Sequence, residues 1–260
     1  MPGRATSGEA RAGHRTGSTV VGVDDDLLAR LAAVRDRVTR AALDAGRAPD
    51  EVRLLLATKT QPADTIRAAV QAHRVLAPGA PLLLGENRVA ELVAKAPALA
   101  DLGVPYHLIG PLQSNKMAAA LRCADGIDSV DSQRLAERLA ARCAEAGRTL
   151  DVMVQVNVSG EATKHGVTPD DAGAFAAEVA AMDGLHLVGF QTIGALHPDP
   201  GVVRAGYATL RSIRDEAVAS GGAATVQAVE LSMGMSGDLE LAICEGATIV
   251  RIGTAVFGPR

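Results

Sequence analysis

Lys59 closes the apolar run "LLLA" at residues 54–57. An ammonium at the tip of a strand-like segment must reach water or act on something, because burying an unpaired charge is expensive. In a semi-dry cleft beside other positive groups a lysine loses its proton more easily, and its free amine attacks a carbonyl to form a Schiff base. A lysine that merely snorkels from a strand end explains the same residue. A second charge stands in "TIVRIGTAVFG", where strand alternation sends Val250 and Ile252 to one side and Arg251 to the other. Gly253 lets backbone approach a ligand, and its N–H with that of Thr254 can hold a phosphate. A tight turn beside an arginine paired to a core carboxylate is the alternative. The third element is "SMGMSGDLELAI", read as a turn that enters a helix at Ser236, where free N–H groups and a hydroxyl receive an anion or simply cap the helix. Asp238 and Glu240 on that first turn would repel a phosphate unless they face away.

The elements that must position these residues alternate. A helix capped near Asp24 to Asp26, with Leu27, Leu28, Leu31, Val34 and Val38 at helical spacing, ends at Gly46 before any strand. Then short apolar runs alternate with amphipathic ones: "VRLLLAT", "PLLLG", "YHLIG", "GIDSV", "DVMVQVNVS", "LHLVGFQTI", "AVELSM" and "TIVRIG" are strands, each but the last followed by a helical pattern. This predicts an α/β fold, a single (β/α)8 barrel with an extra N-terminal helix; an open doubly wound sheet is the second choice. In such barrels active-site groups sit at the C-terminal strand ends. Polar residues do fall there: Lys59, Glu86 and Asn87, Gln113 and Asn115, Asp128 and Ser129, Asn157 and Ser159, Gln191 and Thr192, Ser232, then Arg251, Gly253 and Thr254.

Composition narrows the chemistry. The chain has 260 residues, 48% hydrophobic and 22% charged, with a formal net charge of -4, which offers no basic excess for nucleic acid or an anionic membrane. Only 2% of residues are aromatic, so base-stacking platforms are not expected. Cys123, Cys143 and Cys244 are widely spaced and read as small buried hydrophobes in a reducing cytosol; no disulfide framework, metal site or membrane span is expected. Residues 1–20 read as a disordered tail, and 21–260 as one barrel domain.

A lysine on the first strand, an arginine on the last and a phosphate cup between the last two describe pyridoxal phosphate held by a Schiff base. The stretches "ATKTQP", "GENRVAE", "HLIGPLQSNK", "VNVSGEATKHG", "LSMGMSGDLELAI" and "VRIGTAVFG" resemble, in order from about Val21 to the C-terminus, the motifs of the pyridoxal phosphate homeostasis protein family. The resemblance implies a barrel of the alanine-racemase N-terminal-domain kind (fold type III). It also implies Lys59 as the aldimine lysine, Arg251 beside the pyridine nitrogen, Ser236, Gly253 and Thr254 on the phosphate, and Asn87 near the ring. The sequence departs where the family usually has methionine for Gln191 and phenylalanine for Leu84.

Cofactor binding alone does not require turnover. An arginine at the pyridine nitrogen opposes its protonation and weakens the ring as an electron sink. Racemases of this class are similar to one another in having a second, β-rich domain with a catalytic tyrosine, whereas here the chain stops just after the last strand. Tyr106 falls at the start of a strand, at the wrong end of the barrel, and Tyr207 within a helix; His107 reads as a satisfied core or stacking histidine. The expectation is a cytoplasmic, monomeric carrier that buffers pyridoxal phosphate or delivers it to apo-enzymes. A racemase or lyase completed by another subunit, and a Schiff-base aldolase, are the competing readings. Lys116, Lys164 and His165 are loop cations that either hold phosphate in passing or are simply solvated.

Overall fold

The apolar runs become strands because β-branched and leucine side chains pack well on both faces of a sheet that helices cover from outside. The computed structural model describes residues 25–220 and 225–259, so the expected tail at 1–20 lies outside the described residues. Eight parallel strands close into a barrel in sequence order: β1 (Arg53–Ala57), β2 (Leu82–Glu86), β3 (Tyr106–Leu108), β4 (Gly126–Val130), β5 (Leu150–Gln155), β6 (Leu185–Gln191), β7 (Glu230–Ser232) and β8 (Ile249–Ile252). β8 returns to pair with β1, which selects the closed barrel over the open sheet.

The helices are α1 (Asp25–Asp44), α2 (Ala63–Leu76), α3 (Val89–Leu99), α4 (Met117–Leu121), α5 (Gln133–Glu145), α6 (Pro169–Ala180), α7 (Pro200–Ala219), α8 (Leu239–Cys244) and α9 (Thr254–Phe257). The helix after the last strand, α9, has four residues, too few to cover the barrel. The expected extra helix supplies the missing cover: α1 lies against α2, α8 and α9 and closes the outer ring. Its buried face is Leu27, Leu31, Val34, Val38, Ala41 and Ala42, the stripe that the helical spacing marks.

Strand alternation divides the core in two. Leu54, Leu56, Leu82, Leu84, Val152, Val154, Val250 and Ile252 face the helices. Leu55, Leu83, Ile109, Met153 and Ile249 fill the barrel interior. Truncating a fully buried leucine of the outer layer to alanine costs about 2–5 kcal/mol. Above the apolar interior, towards the C-terminal strand ends, Asp128, Gln155, Gln191, Ser232 and Arg251 are all buried. The cysteine expectation holds for Cys143, which is buried; Cys123 is half-buried and Cys244, the last residue of α8, is exposed.

Candidate functional site

At the C-terminal strand ends a cavity of about 230 Å3 is lined by Lys59, Asn87, Ser236, Arg251, Gly253 and Thr254, with Ile109, Ile193, Met235 and Phe257 as apolar wall. All six residues singled out in the sequence therefore converge. Pockets for drug-sized ligands run from about 300 Å3 upwards, so this one suits a smaller, single-ring molecule. A larger cavity of about 750 Å3 opens at the opposite end and is lined by Arg53, His107, Asp151 and Glu230. It shares none of the six, and Arg53 and Glu230 in its wall are paired to each other at 2.6 Å. In barrels that face carries stability, not chemistry.

Lys59 follows β1 with φ 29°, the one positive φ of a non-glycine residue among the described residues. That backbone costs a residue with a Cβ about 1–2 kcal/mol. Neighbouring bonds hold it: the Thr58 N–H donates to Gly85 O at 2.8 Å and the Gln61 N–H to Thr58 O at 2.8 Å. Lys95 of α3 donates its ammonium to the Lys59 carbonyl.

Arg251 is 5% exposed. Its Nη1 donates to the Ser232 carbonyl at 2.6 Å and hydroxyl at 3.0 Å, and its Nη2 to the Thr192 carbonyl at 2.7 Å. Burial pulls its pKa down, while Tyr207, Asp128 and Asp238 push it up. The guanidinium starts from a value so high that it stays a cation. The sequence alternative of a core arginine paired to a carboxylate is not what the hydrogen bonds show: its partners are two carbonyls and a hydroxyl. Two buried acceptors, Asp128 Oδ2 and Gln191 Oε1, have no protein partner in the same interior. The polar upper layer is thus not self-satisfied.

The cup between β7 and β8 corrects one expectation. Ser236 lies in a turn, and α8 begins only at Leu239. Asp238 holds that turn, accepting the Met235 N–H at 2.6 Å and the Tyr207 hydroxyl at 2.8 Å. Its carboxylate is thereby engaged, and Glu240 is engaged by Arg37 through two bonds of 2.7 and 2.9 Å. The Ser236 hydroxyl instead faces α9, accepting the Ala255 N–H at 3.3 Å. The Ala255 N–H is thereby taken and the Val256 N–H donates to Gly253 O at 3.0 Å, so the main chain that borders the cavity is that of Gly253 and Thr254, where the helix has no earlier turn. A Cβ at Gly253 would stand 3.3 Å from the Ala57 carbonyl, tight against β1. Bare backbone at this position suits a ligand that must come close. From outside, α1 grips both halves of the cup: Arg37 donates to Ser236 O at 3.0 Å and Arg30 to Val256 O at 2.7 Å.

Asn87 enters the cavity because residue 110 is glycine; a Cβ there would lie 2.2 Å from Asn87 O. Other strand-end residues go elsewhere. Glu86 points out of the barrel, towards α3. Gln113 and Asn115 are exposed and Asn157 binds its own loop at Glu161 O and Lys164 O. Lys164 is held by Glu161 at 2.7 Å and Gly194 O at 3.0 Å, His165 lies 3.7 Å from Asp131, and Lys116 is exposed. None of these loop cations lines the cavity. His107 is a core histidine as expected, bound to Asp128 at 2.8 Å. Tyr106 departs from expectation: its backbone starts β3, yet its hydroxyl reaches Thr58 Oγ1 at 2.7 Å, on the outer side of the Lys59 turn. Sequence reasoning missed Lys95 and Arg37; the Glu91–Lys95 pair, four residues apart on a mostly apolar helix, was the available signal.

The chain matches the family model described as alanine racemase, N-terminal domain, over residues 30–260. It is 41% identical over 230 residues to the pyridoxal phosphate homeostasis protein of Pseudomonas aeruginosa, covering 88% of this chain and 94% of that one. A crystal structure of an unknown protein from Bifidobacterium adolescentis superposes with a TM-score of 0.83 at 42% identity, covering 91% of this chain and 98% of the other. PipY of Synechococcus elongatus, solved with pyridoxal phosphate bound, gives a TM-score of 0.74 at 35% identity, with 89% and 100% covered.

Proposed function

The chain belongs to the pyridoxal phosphate homeostasis protein family, and on that premise we propose that it binds pyridoxal 5'-phosphate at the barrel mouth, attached to Lys59, and serves intracellular homeostasis of that cofactor by buffering or delivery. The observation that carries this is the meeting of Lys59, Arg251 and the Ser236–Gly253–Thr254 cup around one cavity of about 230 Å3. When bound, the cofactor supplies an aldehyde that condenses with the Lys59 amine and releases water. Ser236 and the main chain at Gly253 and Thr254 receive its phosphate, since backbone N–H groups at a helix start and a hydroxyl favour an anion. Arg251, fixed by carbonyls on β7 and after β6, presents a permanent cation to the ring nitrogen and disfavours its protonation.

The carrier reading is favoured over a racemase or lyase by the cavity wall. Among the described residues that line it, Lys59 and Arg251 are the only titratable side chains. A second acid–base group for two-sided proton transfer has no place there; the Tyr207 hydroxyl is bound to Asp238, and that of Tyr106 lies behind the Lys59 turn. Action in the cytoplasm, as a monomer, towards apo-enzymes rather than nucleic acid or membrane, completes the proposal. In support, no helix among the described residues is long and apolar enough to cross a membrane. The test is borohydride reduction of the cofactor-saturated protein followed by peptide mapping. A phosphopyridoxyl group on the peptide containing Lys59 is expected, and a colourless, unmodified protein would overturn the proposal.

A further inference from the structure

A fully buried carboxylate lies directly outside the barrel wall behind the Lys59 turn. The Glu86 side chain is 0% exposed, and Lys95, 2.7 Å away, is 12% exposed. Such a pair gains little from mutual attraction after desolvation unless further hydrogen bonds satisfy both groups. Here they do. Glu86 Oε1 accepts the Asn87 N–H at 2.8 Å; its Oε2 accepts the Lys95 ammonium and the Thr58 hydroxyl at 2.9 Å, with the Tyr106 hydroxyl at 3.3 Å. An ammonium has three donors. Those of Lys95 have three acceptors: Glu86, Glu91 at 3.0 Å, and the Lys59 carbonyl.

We propose that Glu86 and Lys95 are positioning residues for the Lys59 amine, fixing the main chain on both sides of Lys59 and, through the same carboxylate, the neighbouring Asn87. The upstream peptide is tied by the Thr58 hydroxyl to Glu86, and the downstream carbonyl by Lys95. Between them sits the positive φ that no glycine relieves. An unconstrained chain at this point relaxes to ordinary strand or turn backbone and swings the amine out of the cavity. The apparent affinity for a ligand captured by the amine then falls by the fraction of molecules left in the competent backbone. Neither Glu86 nor Lys95 lines the cavity, so these two residues act through Lys59 and Asn87. The inference rests on Lys59 being the attachment residue.

The test compares wild type with Lys95→Met, which keeps length and volume but removes all three donors. Pyridoxal phosphate titration, release rate and circular dichroism in the visible band are measured alongside the thermal midpoint. The dichroism reports how rigidly the lysine arm is held against the ring, a quantity that loss of stability alone leaves unchanged. Lys95→Met is expected to weaken binding about tenfold, the factor set by the cost of an unsupported left-handed residue, and to lower the dichroism per bound cofactor. Val179→Ala, in the buried face of α6, is the control that lowers the midpoint and leaves both readouts unchanged. If Lys95→Met does not fold, Glu86→Gln is read in its place, since the amide keeps the shape but cannot accept from every donor around it. Wild-type affinity and dichroism in the folded variant overturn the positioning role. A wild-type protein that takes up no cofactor overturns the functional proposal instead, so the two failures are distinguishable.

Discussion

Leu55 of β1 and Arg251 of β8 are register partners across the seam where the barrel closes. Lys59, just beyond the end of β1, therefore meets Arg251 at the rim of one cavity although the two are far apart in sequence. No open or partly zipped barrel contains that cavity. The cofactor should bind the folded chain only, and at a hundredfold excess over its dissociation constant it should add about 2.7 kcal/mol to unfolding. Denaturant titration with and without pyridoxal phosphate measures the difference; coincident curves would contradict it.

Lys59→Ala is expected to remove the visible absorption band and the borohydride-stable adduct while leaving a folded protein. The phosphate cup does not involve the lysine side chain, so weak, unreduced binding persists and is measurable by equilibrium dialysis. Retention of the adduct at another lysine, such as Lys164, would show that attachment is not set by the cavity.

Replacing Arg251 by leucine deletes three hydrogen bonds and strands the Thr192 carbonyl in the interior, while the Ser232 carbonyl keeps the Thr192 N–H at 3.1 Å. Each charge-assisted bond is worth about 1.5–3 kcal/mol, and an unsatisfied buried acceptor costs a comparable amount. A loss of at least about 3 kcal/mol in chemical denaturation is therefore expected. Loss below about 1 kcal/mol would mean that water replaces the guanidinium freely.

His107 gives a pH dependence. Burial works against its charged form, but the charge and hydrogen bond of Asp128, with Asp151 and Asp125 further off, outweigh it and raise the pKa. A base raised above its unfolded value of about 6.5 stabilises the fold fully below that pH, and the contribution disappears as pH climbs through the folded value. His186 is raised in the same sense by its hydrogen bonds to Asp151 and Gln227. The stability difference between wild type and His107→Asn should accordingly be largest in mild acid and shrink towards alkaline pH. A difference that is flat across this range would exclude the ion pair.

Gly110→Ala brings a methyl group to within 2.2 Å of the Asn87 carbonyl. Backbone must move, and Asn87 leaves its place beside the cavity. The variant is expected to fold with a lowered midpoint and to bind pyridoxal phosphate more weakly; unchanged affinity would remove Asn87 from the site.

The parts of this molecule that were legible in the sequence follow from local rules. Alternation placed Arg251 inside and Val250 and Ile252 outside because successive strand residues must face opposite ways. Lys59, Asn87, Arg251, Gly253 and Thr254 stand out because barrel chemistry gathers at strand ends. Ser236 was misread as a helix start because Asp238 outcompetes the helix for the turn, bonding to the Met235 N–H and to Tyr207, a partner contributed by a distant helix. Glu86 was counted among the mouth residues, yet it faces away, since its parity with Leu82 and Leu84 carries it to the outer layer. Lys95 and Arg37 were hidden for a plainer reason. Their partners are main-chain carbonyls of Lys59 and Ser236, and sequence spacing says nothing about which distant carbonyl a long side chain will reach.

The fit of α1 against the turn at Ser236 and against α9 has a consequence for biosynthesis. Arg30 and Arg37 are made early, and the carbonyls they hold belong to residues made about two hundred positions later. Such distant contacts are slow to form and come last. A nascent chain can thus assemble much of its wall while still incapable of retaining the phosphorylated vitamin. Only a polypeptide translated through its final strand acquires that capacity, so half-made copies on the ribosome do not compete with finished ones for a scarce and reactive aldehyde.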